Sequence, residues 1–334
     1  MKWGLIGAST IASEQMIGAI RSVTGNTITS VLSSSAARGA DYAKAHDIDH
    51  GTADLDDLLG RCDAVYISTT NEKHKDQALA AIAAGKHVLC EKPLAMTVAD
   101  AVEMVNAAKS AGVVFGTNHH LRCMGIHRRI RDMVQGGDIG DVLSARIFHA
   151  VMLPEALRGW RINDASAGGG VVADITVHDA DTLRFHLGED PAEVVAMTAA
   201  QGLGNGVEDG CMSVWTMPSG AMVQDHVSFT HPFAGNGIEI HGTKGSIRAQ
   251  SAMSVMWLQG GGTFELTDKD GTRMVGAEGG SPYDYAADRF TAACRGEGAP
   301  AADGVDGIKS LAVAMAVVTA AQSGHRTAVD YGGV

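Results

Sequence analysis

The chain has 334 residues, of which 45% are hydrophobic, and its formal net charge is −12. Because a single hydrophobic core rarely grows beyond about 250–300 residues, this length predicts two domains. The acidic balance argues against nucleic acid and anionic membranes as general partners, and no uninterrupted apolar run approaches the roughly 20 residues of a membrane span. The five cysteines are scattered without a C-x-x-C pair, which is typical of reduced thiols. Since no signal-peptide pattern opens the chain, a soluble cytoplasmic protein is predicted.

A short apolar run at residues 3–6 leads directly into a glycine turn, after which apolar residues recur at helical spacing over residues 11–20. Strand, glycine turn and helix form the context in which such a turn binds a dinucleotide pyrophosphate at the helix N-terminus. The usual G-x-G-x-x-G/A pattern is imperfect, because it reads Gly7-x-Ser9-x-x-Ala12 here. A serine leaves less room than a glycine, but its hydroxyl can donate to a phosphate oxygen. We predict a dinucleotide site, with an ordinary βα turn as the alternative.

The end of the second apolar run, at residues 27–32, indicates which dinucleotide is bound. An NAD enzyme usually has an acidic residue there to bind the ribose 2′-hydroxyl. This chain instead has Ser33, Ser34 and, close behind, Arg38, with no acid before Asp41. Hydroxyl groups and a guanidinium suit a 2′-phosphate, which arginine can bind through two hydrogen bonds. NADPH is therefore the predicted cofactor, and the alternative is that Arg38 is merely solvated.

Further strand-like runs follow in the first part of the chain, separated by helical patterns, at residues 64–68, 87–90 and 113–115. Thr97 and Asp100 resemble a capping box at the start of one of these helices. The alternation predicts an α/β fold with a Rossmann-type doubly wound parallel sheet. Residues 1–120 are accordingly assigned to a dinucleotide-binding domain.

Lys92 follows the strand at residues 87–90, within the sequence Glu91-Lys92-Pro93. The proline favours an extended or turn conformation for the lysine. The ammonium group is then fixed at the carboxyl edge of the sheet, where ligands bind in open α/β folds. A functional lysine is one interpretation, and a simply exposed lysine is the other.

From about Leu121 the regular alternation stops. Consecutive strands on short connections predict an α+β second domain with an antiparallel or mixed sheet, residues 121–334. Two helices, at residues 283–295 and 306–323, are predicted to close the chain. The strand-like runs lie at residues 142–149, 194–198, 211–216, 222–229, 237–241, 246–249, 254–258 and 263–267.

A triple glycine at residues 168–170 precedes a helical segment that carries Asp174 and His178. Residues four apart share one face of a helix, so the carboxylate can orient the imidazole and favour its protonated form, as a general acid requires. The alternative is a surface Asp–His pair. A metal site that includes Asp181 is a third and weaker option, because no known zinc spacing occurs, and no metal is predicted.

Other polar side chains beside aromatic or glycine positions are further candidates for binding. Trp160 more often fills a core than a sugar site, but its position next to Arg161 and ahead of the glycine run also suits a binding wall. The remaining candidates of this kind are Asn118, His119, His120, His149 and Tyr283.

Taken together, G-x-S-x-I-A at residues 7–12, Glu91-Lys92-Pro93 and G-G-G-x-x-x-D-x-x-x-H at residues 168–178 resemble the Gfo/Idh/MocA family of sugar and inositol oxidoreductases. The resemblance implies a Rossmann domain followed by a substrate-binding α+β domain with a large, open, mostly antiparallel sheet. It further implies that the nicotinamide binds between the two domains. Asn71 departs from the family, since many relatives have proline there.

The resemblance also assigns residues. It implies catalytic roles for Lys92, Asp174 and His178. The expected cofactor contacts are Ser9, Thr10, Ile11, Ala12, Ser33, Ser34, Arg38, Thr69, Thr70, Asn71, His74, Glu91, Lys92, Asn118, Trp160 and Arg161. The expected substrate contacts are Lys92, His119, His149, Trp160, Asp174, His178 and Tyr283.

The expected reaction is the reduction of a cyclic ketose with NADPH, in which His178 donates a proton and Lys92 stabilises the charge on the oxygen. One alternative is an NAD-linked dehydrogenase that oxidises a sugar or inositol. Another is a nucleotide-sensing regulator that keeps the fold without turnover. A small sugar is the expected partner, and the chain is either a monomer or a homo-oligomer formed through the open sheet.

Overall fold

The computed structural model describes residues 1–254 and 261–334. In the first 120 residues, strands alternate with helices. The strands are β1 (Lys2–Ile6), β2 (Thr27–Leu32), β3 (His50–Thr52), β4 (Ala64–Ile67), β5 (His87–Cys90) and β6 (Phe115–Thr117). The helices are α1 (Ile17–Ser22), which continues a π-helical segment Ala12–Met16, α2 (Ala36–Ala45), α3 (Leu55–Leu59), α4 (His74–Ala83) and α5 (Val98–Ala111).

The rest of the chain is richer in strands. Its helices are α6 (Gly125–Gln135), α7 (Glu155–Arg158), α8 (Val177–Leu187), which continues a π-helical segment Val172–Thr176, α9 (Pro282–Cys294) and α10 (Gly304–Ser323). Its strands are β7 (Val142–Ala150), β8 (Glu193–Ala199), β9 (Gly210–Thr216), β10 (Met222–Ser228), β11 (Gly237–Gly242), β12 (Gly245–Gln250), β13 (Thr263–Asp268), β14 (Gly271–Gly276) and β15 (Thr327–Ala328).

The first sheet has six parallel strands in the order β3-β2-β1-β4-β5-β6. This is the Rossmann strand order, with its reversal between β1 and β4, and it confirms the predicted fold class. All four residues of β4 are buried, as expected for a parallel strand covered on both faces. Thr97 caps the helix α5, since its Oγ1 accepts from the amide of Asp100 at 3.1 Å, and its hydroxyl donates to the carboxylate of Asp100 at 2.7 Å.

The second sheet has nine strands in the order β14-β13-β12-β11-β7-β10-β9-β8-β15. Only the pair β7–β10 is parallel among its described pairings, so the prediction of a large, mostly antiparallel sheet is confirmed. Side chains alternate between a covered face and an exposed one. Ile147 and Val223 are buried, whereas Met197, Met212 and Met222 are more than half exposed.

Several elements differ from those expected. Helix α6 and strand β14 were not predicted. The predicted strand at residues 254–258 lies, apart from Ser254, outside the described residues. Helix α10 is long and apolar enough to cross a membrane by length and composition, but 61% of its most apolar window is buried inside the protein, as is usual for a core helix.

The chain divides into two compact units. The first comprises Met1–His120 with Tyr283–Ile308 and Val334, and the second comprises Leu121–Pro282 with Lys309–Gly333. The segment from Tyr283 to Ile308, which the sequence placed in the second domain, therefore belongs with the first unit. The reason is packing, because this segment contributes side chains to the core of the first unit.

Two contacts illustrate how this segment is bound. The rings of Trp3 and Phe290 are 5.4 Å apart between centroids. The side-chain amide of Asn26 donates to Thr291 Oγ1 at 2.9 Å. The first contact joins α9 to β1, and the second joins α9 to the turn before β2. The first unit is therefore built from two separate stretches of sequence.

Candidate functional site

The predicted cofactor contacts of the first unit lie in loops that follow five strands of the parallel sheet. Because those strands run in one direction, their carboxyl ends meet at one edge, which is the ligand-binding edge of open α/β folds. The residues follow β1 (Ser9, Thr10, Ile11, Ala12), β2 (Ser33, Ser34, Arg38), β4 (Thr69, Thr70, Asn71, His74), β5 (Glu91, Lys92) and β6 (Asn118).

The glycine turn after β1 is tightly packed. Gly7 has a φ of 116°, and a Cβ at this position would lie 3.0 Å from the carbonyl carbon of Ser68. Ser9 Oγ lies 2.7 Å from Ser68 Oγ and accepts from the amide of Ala12 at 3.2 Å. The serine that replaces the second glycine thus caps the following helix. When the hydroxyl of Ser68 donates to Ser9 Oγ, the hydroxyl of Ser9 can donate its own proton to a phosphate oxygen.

Arg38 folds back onto this turn. Its guanidinium Nη2 donates to the carbonyl of Ala8 at 3.1 Å, and its amide donates to Ser35 Oγ at 3.3 Å. The hydroxyl of Ser33 is buried and has no hydrogen-bond partner among residues 1–254 and 261–334. A buried hydroxyl without a partner and a guanidinium beside the glycine turn are groups that can bind a phosphate.

The loop after β4 is tied to the turn after β5 through His74. The ring is completely buried, with Nδ1 3.0 Å from the carbonyl of Pro93 and Nε2 3.2 Å from the carbonyl of Thr69. Burial lowers the pKa of His74, and a neutral ring donates to one of the two carbonyls at a time. Both ring nitrogens therefore face the protein backbone, and a cofactor contact by His74 stays a prediction.

Glu91 anchors the turn that carries Lys92. Its Oε1 accepts from the hydroxyl of Tyr66 and from the side-chain amide of Asn118, both at 2.6 Å, and its Oε2 accepts from the amide of Lys92 at 3.3 Å. Burial raises the pKa of Glu91, while these hydrogen bonds oppose the rise. The Lys92–Pro93 peptide bond is cis. Tyr66, which the sequence did not single out, is thus a supporting residue of this turn.

Two further candidates lie at the same end of the first unit. His119 is almost fully buried, with 2% of its surface exposed. The ring of His120 stacks on Tyr283, with 4.9 Å between centroids. Tyr283, predicted as a substrate contact from the second domain, therefore belongs to the first unit.

In the second unit, the glycine run is required by close packing. Gly170 has a φ of 110°, and a Cβ there would lie 2.3 Å from the carboxylate of Glu208. The same carboxylate accepts from the amide of Val172 at 3.2 Å. A Cβ at Gly169 would lie 2.7 Å from the backbone carbonyl oxygens of Asp164 and Trp160, so this position also needs a glycine.

Five predicted residues come together beside this run. Arg161 lies over the ring of Trp160, with 4.7 Å to the centroid, and its Nε is 3.3 Å from Asp174 Oδ2. The rings of His149 and His178 are 6.3 Å apart between centroids. The continuous helical path from Val172–Thr176 into α8 keeps Asp174 and His178 on neighbouring turns. A guanidinium, a carboxylate and two imidazoles can together bind hydroxyl groups and move a proton.

Asp181, considered above as a metal ligand, is paired with a cation instead. Arg122 Nε donates to Asp181 Oδ2 at 2.8 Å, and the guanidinium lies 5.1 Å from the centroid of the Phe185 ring. The side chains are 6% and 1% exposed. The pair is a buried structural ion pair.

Replacing Asp181 with alanine is expected to destabilise the protein by about 3–5 kcal/mol, because a buried guanidinium loses its carboxylate. Urea denaturation measures this change, with Asp132→Ala on α6 as the control. The Asp132 side chain is 60% exposed, so its removal is expected to change stability by about 0.5 kcal/mol or less. Equal midpoints for the two variants would contradict the assignment.

The sequence analysis did not identify two buried carboxyl groups, one on α8 and one on β10. Asp179 Oδ1 lies 2.8 Å from His149 Nδ1, and Asp225 Oδ2 accepts from Ser213 Oγ at 3.0 Å. Burial raises the pKa of both carboxyl groups well above the ordinary value. The burial of Asp225 could have been predicted from the sequence. Side chains alternate between the two faces of a strand, so Asp225 lies on the same buried face of β10 as Val223 and Val227.

Comparisons with known proteins agree with this architecture. Residues 1–119 match a family model described as the oxidoreductase family with an NAD-binding Rossmann fold, and residues 127–248 match the GFO/IDH/MocA C-terminal domain. The 1,5-anhydro-D-fructose reductase of Ensifer adhaerens is 51% identical over 334 residues, with 99% of each chain covered.

Two other similarities are more distant. The myo-inositol 2-dehydrogenase of Thermotoga maritima is 31% identical over 228 residues, which cover 67% of this chain and 63% of that one. The solved structure of aldose–aldose oxidoreductase from Caulobacter crescentus, complexed with glycerol, has a TM-score of 0.89 at 24% identity, covering 98% of this chain and 99% of that one. At this identity the structure shows a shared fold.

Proposed function

The chain belongs to the Gfo/Idh/MocA family of oxidoreductases, and from this premise we propose that it reduces a cyclic ketose with NADPH. The proposed substrate is 1,5-anhydro-D-fructose and the product is 1,5-anhydro-D-mannitol. The observation that carries the proposal is the 51% identity, over nearly the whole of both chains, to a protein named for that reduction.

The catalytic groups follow from the chemistry of ketone reduction. NADPH supplies the hydride when bound. We assign to His178 the donation of a proton to the carbonyl oxygen as it gains negative charge. Lys92 stabilises that charge through its ammonium group. Asp174 orients His178, and Arg161, 3.3 Å from the carboxylate, fixes the position of Asp174.

Residues of the first unit are proposed to hold the cofactor. The helix N-terminus beyond Ser9 and Ala12 binds the pyrophosphate. Ser33 and Arg38 bind the 2′-phosphate, for which the partnerless hydroxyl of Ser33 is the main support.

The function is tested by following the absorbance of reduced nicotinamide with a panel of cyclic ketoses and aldoses, each with NADPH and with NADH. We expect the highest kcat/KM with 1,5-anhydro-D-fructose and NADPH. Preferred oxidation of a polyol with NAD would support the second candidate, an NAD-linked dehydrogenase, which the similarity to a myo-inositol 2-dehydrogenase favours. Binding of NADPH without any turnover would support the nucleotide-sensing alternative.

Replacing Arg38 with alanine is expected to raise the Kd and the KM for NADPH by about 10–100-fold and to leave those for NADH nearly unchanged, because charge-assisted bonds to a phosphate are lost. Fluorescence titration of both cofactors measures Kd without turnover. Arg61→Ala, which removes a surface guanidinium of the same unit that is paired with Asp57, is the matched control. Equal losses for the two cofactors would leave Arg38 without a role in selecting between them.

A further inference from the structure

A buried polar network joins α8 to the covered face of the second sheet. Asp225 on β10 and Ser213 on β9 are direct cross-strand partners in the antiparallel register. Asp179 on α8 and His149 on β7 complete the group. Asp179 and Asp225 are 0% exposed, and Ser213 and His149 are 3% and 7% exposed. Polar groups buried to this degree are nearly always hydrogen-bonded, so the donors and acceptors can be counted.

Two oxygens of this network lack a hydrogen-bond donor. Trp215 Nε1 donates to Ser213 Oγ at 2.8 Å, which leaves the serine proton for Asp225 Oδ2. His149 Nδ1 and Asp179 Oδ1 are 2.8 Å apart, so one of them donates to the other. Asp179 Oδ2 and Asp225 Oδ1 then have no donor among residues 1–254 and 261–334. Both oxygens are satisfied if the two carboxyl groups share one proton, and each group also affects the pKa of the other.

The shared proton leaves this pair with one negative charge, and burial disfavours a second one. Burial raises the pKa of both carboxyl groups. On whichever of the two facing oxygens the proton lies, Asp179 Oδ1 carries no proton and accepts, so His149 Nδ1 is the donor.

We propose that Asp225 and Asp179 are positioning residues for His149, which they hold with its proton on Nδ1 so that Nε2 is a hydrogen-bond acceptor for a substrate hydroxyl. Neutral imidazole has one donor and one acceptor nitrogen, so the partner of one nitrogen fixes the role of the other. The choice of a sugar hydroxyl as the ligand rests on the proposed function. The position of the proton on the His149 ring does not depend on the proposed function.

Two variants of equal size separate this role from a purely structural one. In Asp225→Asn, the amide donates to Asp179 and its oxygen accepts from Ser213, so Asp179 keeps its charge and His149 its Nδ1 proton. In Asp179→Asn, Asp225 holds the proton and donates it to the new amide oxygen. The amide nitrogen then faces His149 Nδ1 and moves the ring proton to Nε2.

The ring proton is read from ¹⁵N spectra of the full chain labelled at histidine, above about pH 7.5, where an ordinary histidine is neutral. The His149 signal is assigned by its loss in His149→Gln. We expect the proton on Nδ1 in the wild type and in Asp225→Asn, and on Nε2 in Asp179→Asn. Should Asp179→Asn fail to fold, the other two spectra decide, because a proton on Nε2 in either of them overturns the proposal.

Kinetics provide the second measurement. We expect Asp179→Asn to raise the KM for the sugar by about 10-fold with a smaller change in kcat and unchanged NADPH affinity, since a hydroxyl then meets a donor where an acceptor stood. Asp225→Asn is expected to stay within about 3-fold. Equal kinetic losses in the two variants overturn the proposal. A wild type that reduces no ketose defeats the proposed function instead, and the spectra still decide the position of the proton.

Discussion

Replacing His178 with alanine is expected to lower kcat for ketose reduction by about 10²–10⁴-fold, because a positioned proton donor contributes that much to the rate. The affinity for NADPH is expected to remain near that of the wild type, since the cofactor contacts assigned above lie elsewhere in the chain. Steady-state kinetics give kcat, and fluorescence titration gives the cofactor Kd.

The control for this experiment is His325→Ala, which removes an exposed histidine of the same unit. It is expected to leave both quantities unchanged. Near wild-type turnover in His178→Ala would reject His178 as the proton donor.

Replacing Lys92 with alanine is expected to lower kcat by about 10²–10³-fold, the loss typical of removing one group that stabilises charge on a reacting oxygen. Arginine at position 92 is expected to restore little of the activity, because a planar guanidinium does not replace a compact ammonium. Lys73→Ala is the matched control. Its side chain is 58% exposed, and it lies in the loop after the neighbouring strand β4.

A double variant shows whether the two groups act on one oxygen. If Lys92 and His178 stabilise the same transition-state charge, the loss in kcat for the double variant is smaller than the product of the single losses. Losses that multiply fully would contradict a shared oxygen and would require a separate role for the lysine.

Much of the first unit could be predicted because its local signals and its fold agree. The apolar run at β2 has the bounds predicted for it, and Thr97 caps α5 as its sequence pattern indicates. Parallel strands buried on both faces form continuous apolar runs. The loops that follow these strands lie at one edge of the sheet because the strands are parallel. The positions of Ser9, Arg38 and Glu91 at this edge could therefore be predicted from their order in the chain.

The second unit was harder to predict because its important contacts join distant positions. Asp179 and Asp225 are 46 residues apart, and no local pattern indicates that their carboxyl groups meet. The salt bridge from Arg161 to Asp174 joins positions 13 residues apart, so the sequence suggested only the nearer partner, His178. Helix α6 was not predicted, although its buried residues Ile126, Ile130 and Val134 follow helical spacing.

The return of residues 283–308 to the first unit has a consequence for recombination between relatives. A fragment that ends near residue 120 would leave Trp3 without Phe290 and Asn26 without Thr291, exposing apolar surface and a buried amide. The first unit is therefore not encoded by one contiguous stretch of the chain. A chimera that exchanges cofactor preference should therefore transfer both stretches together, so that the Trp3–Phe290 and Asn26–Thr291 contacts are kept.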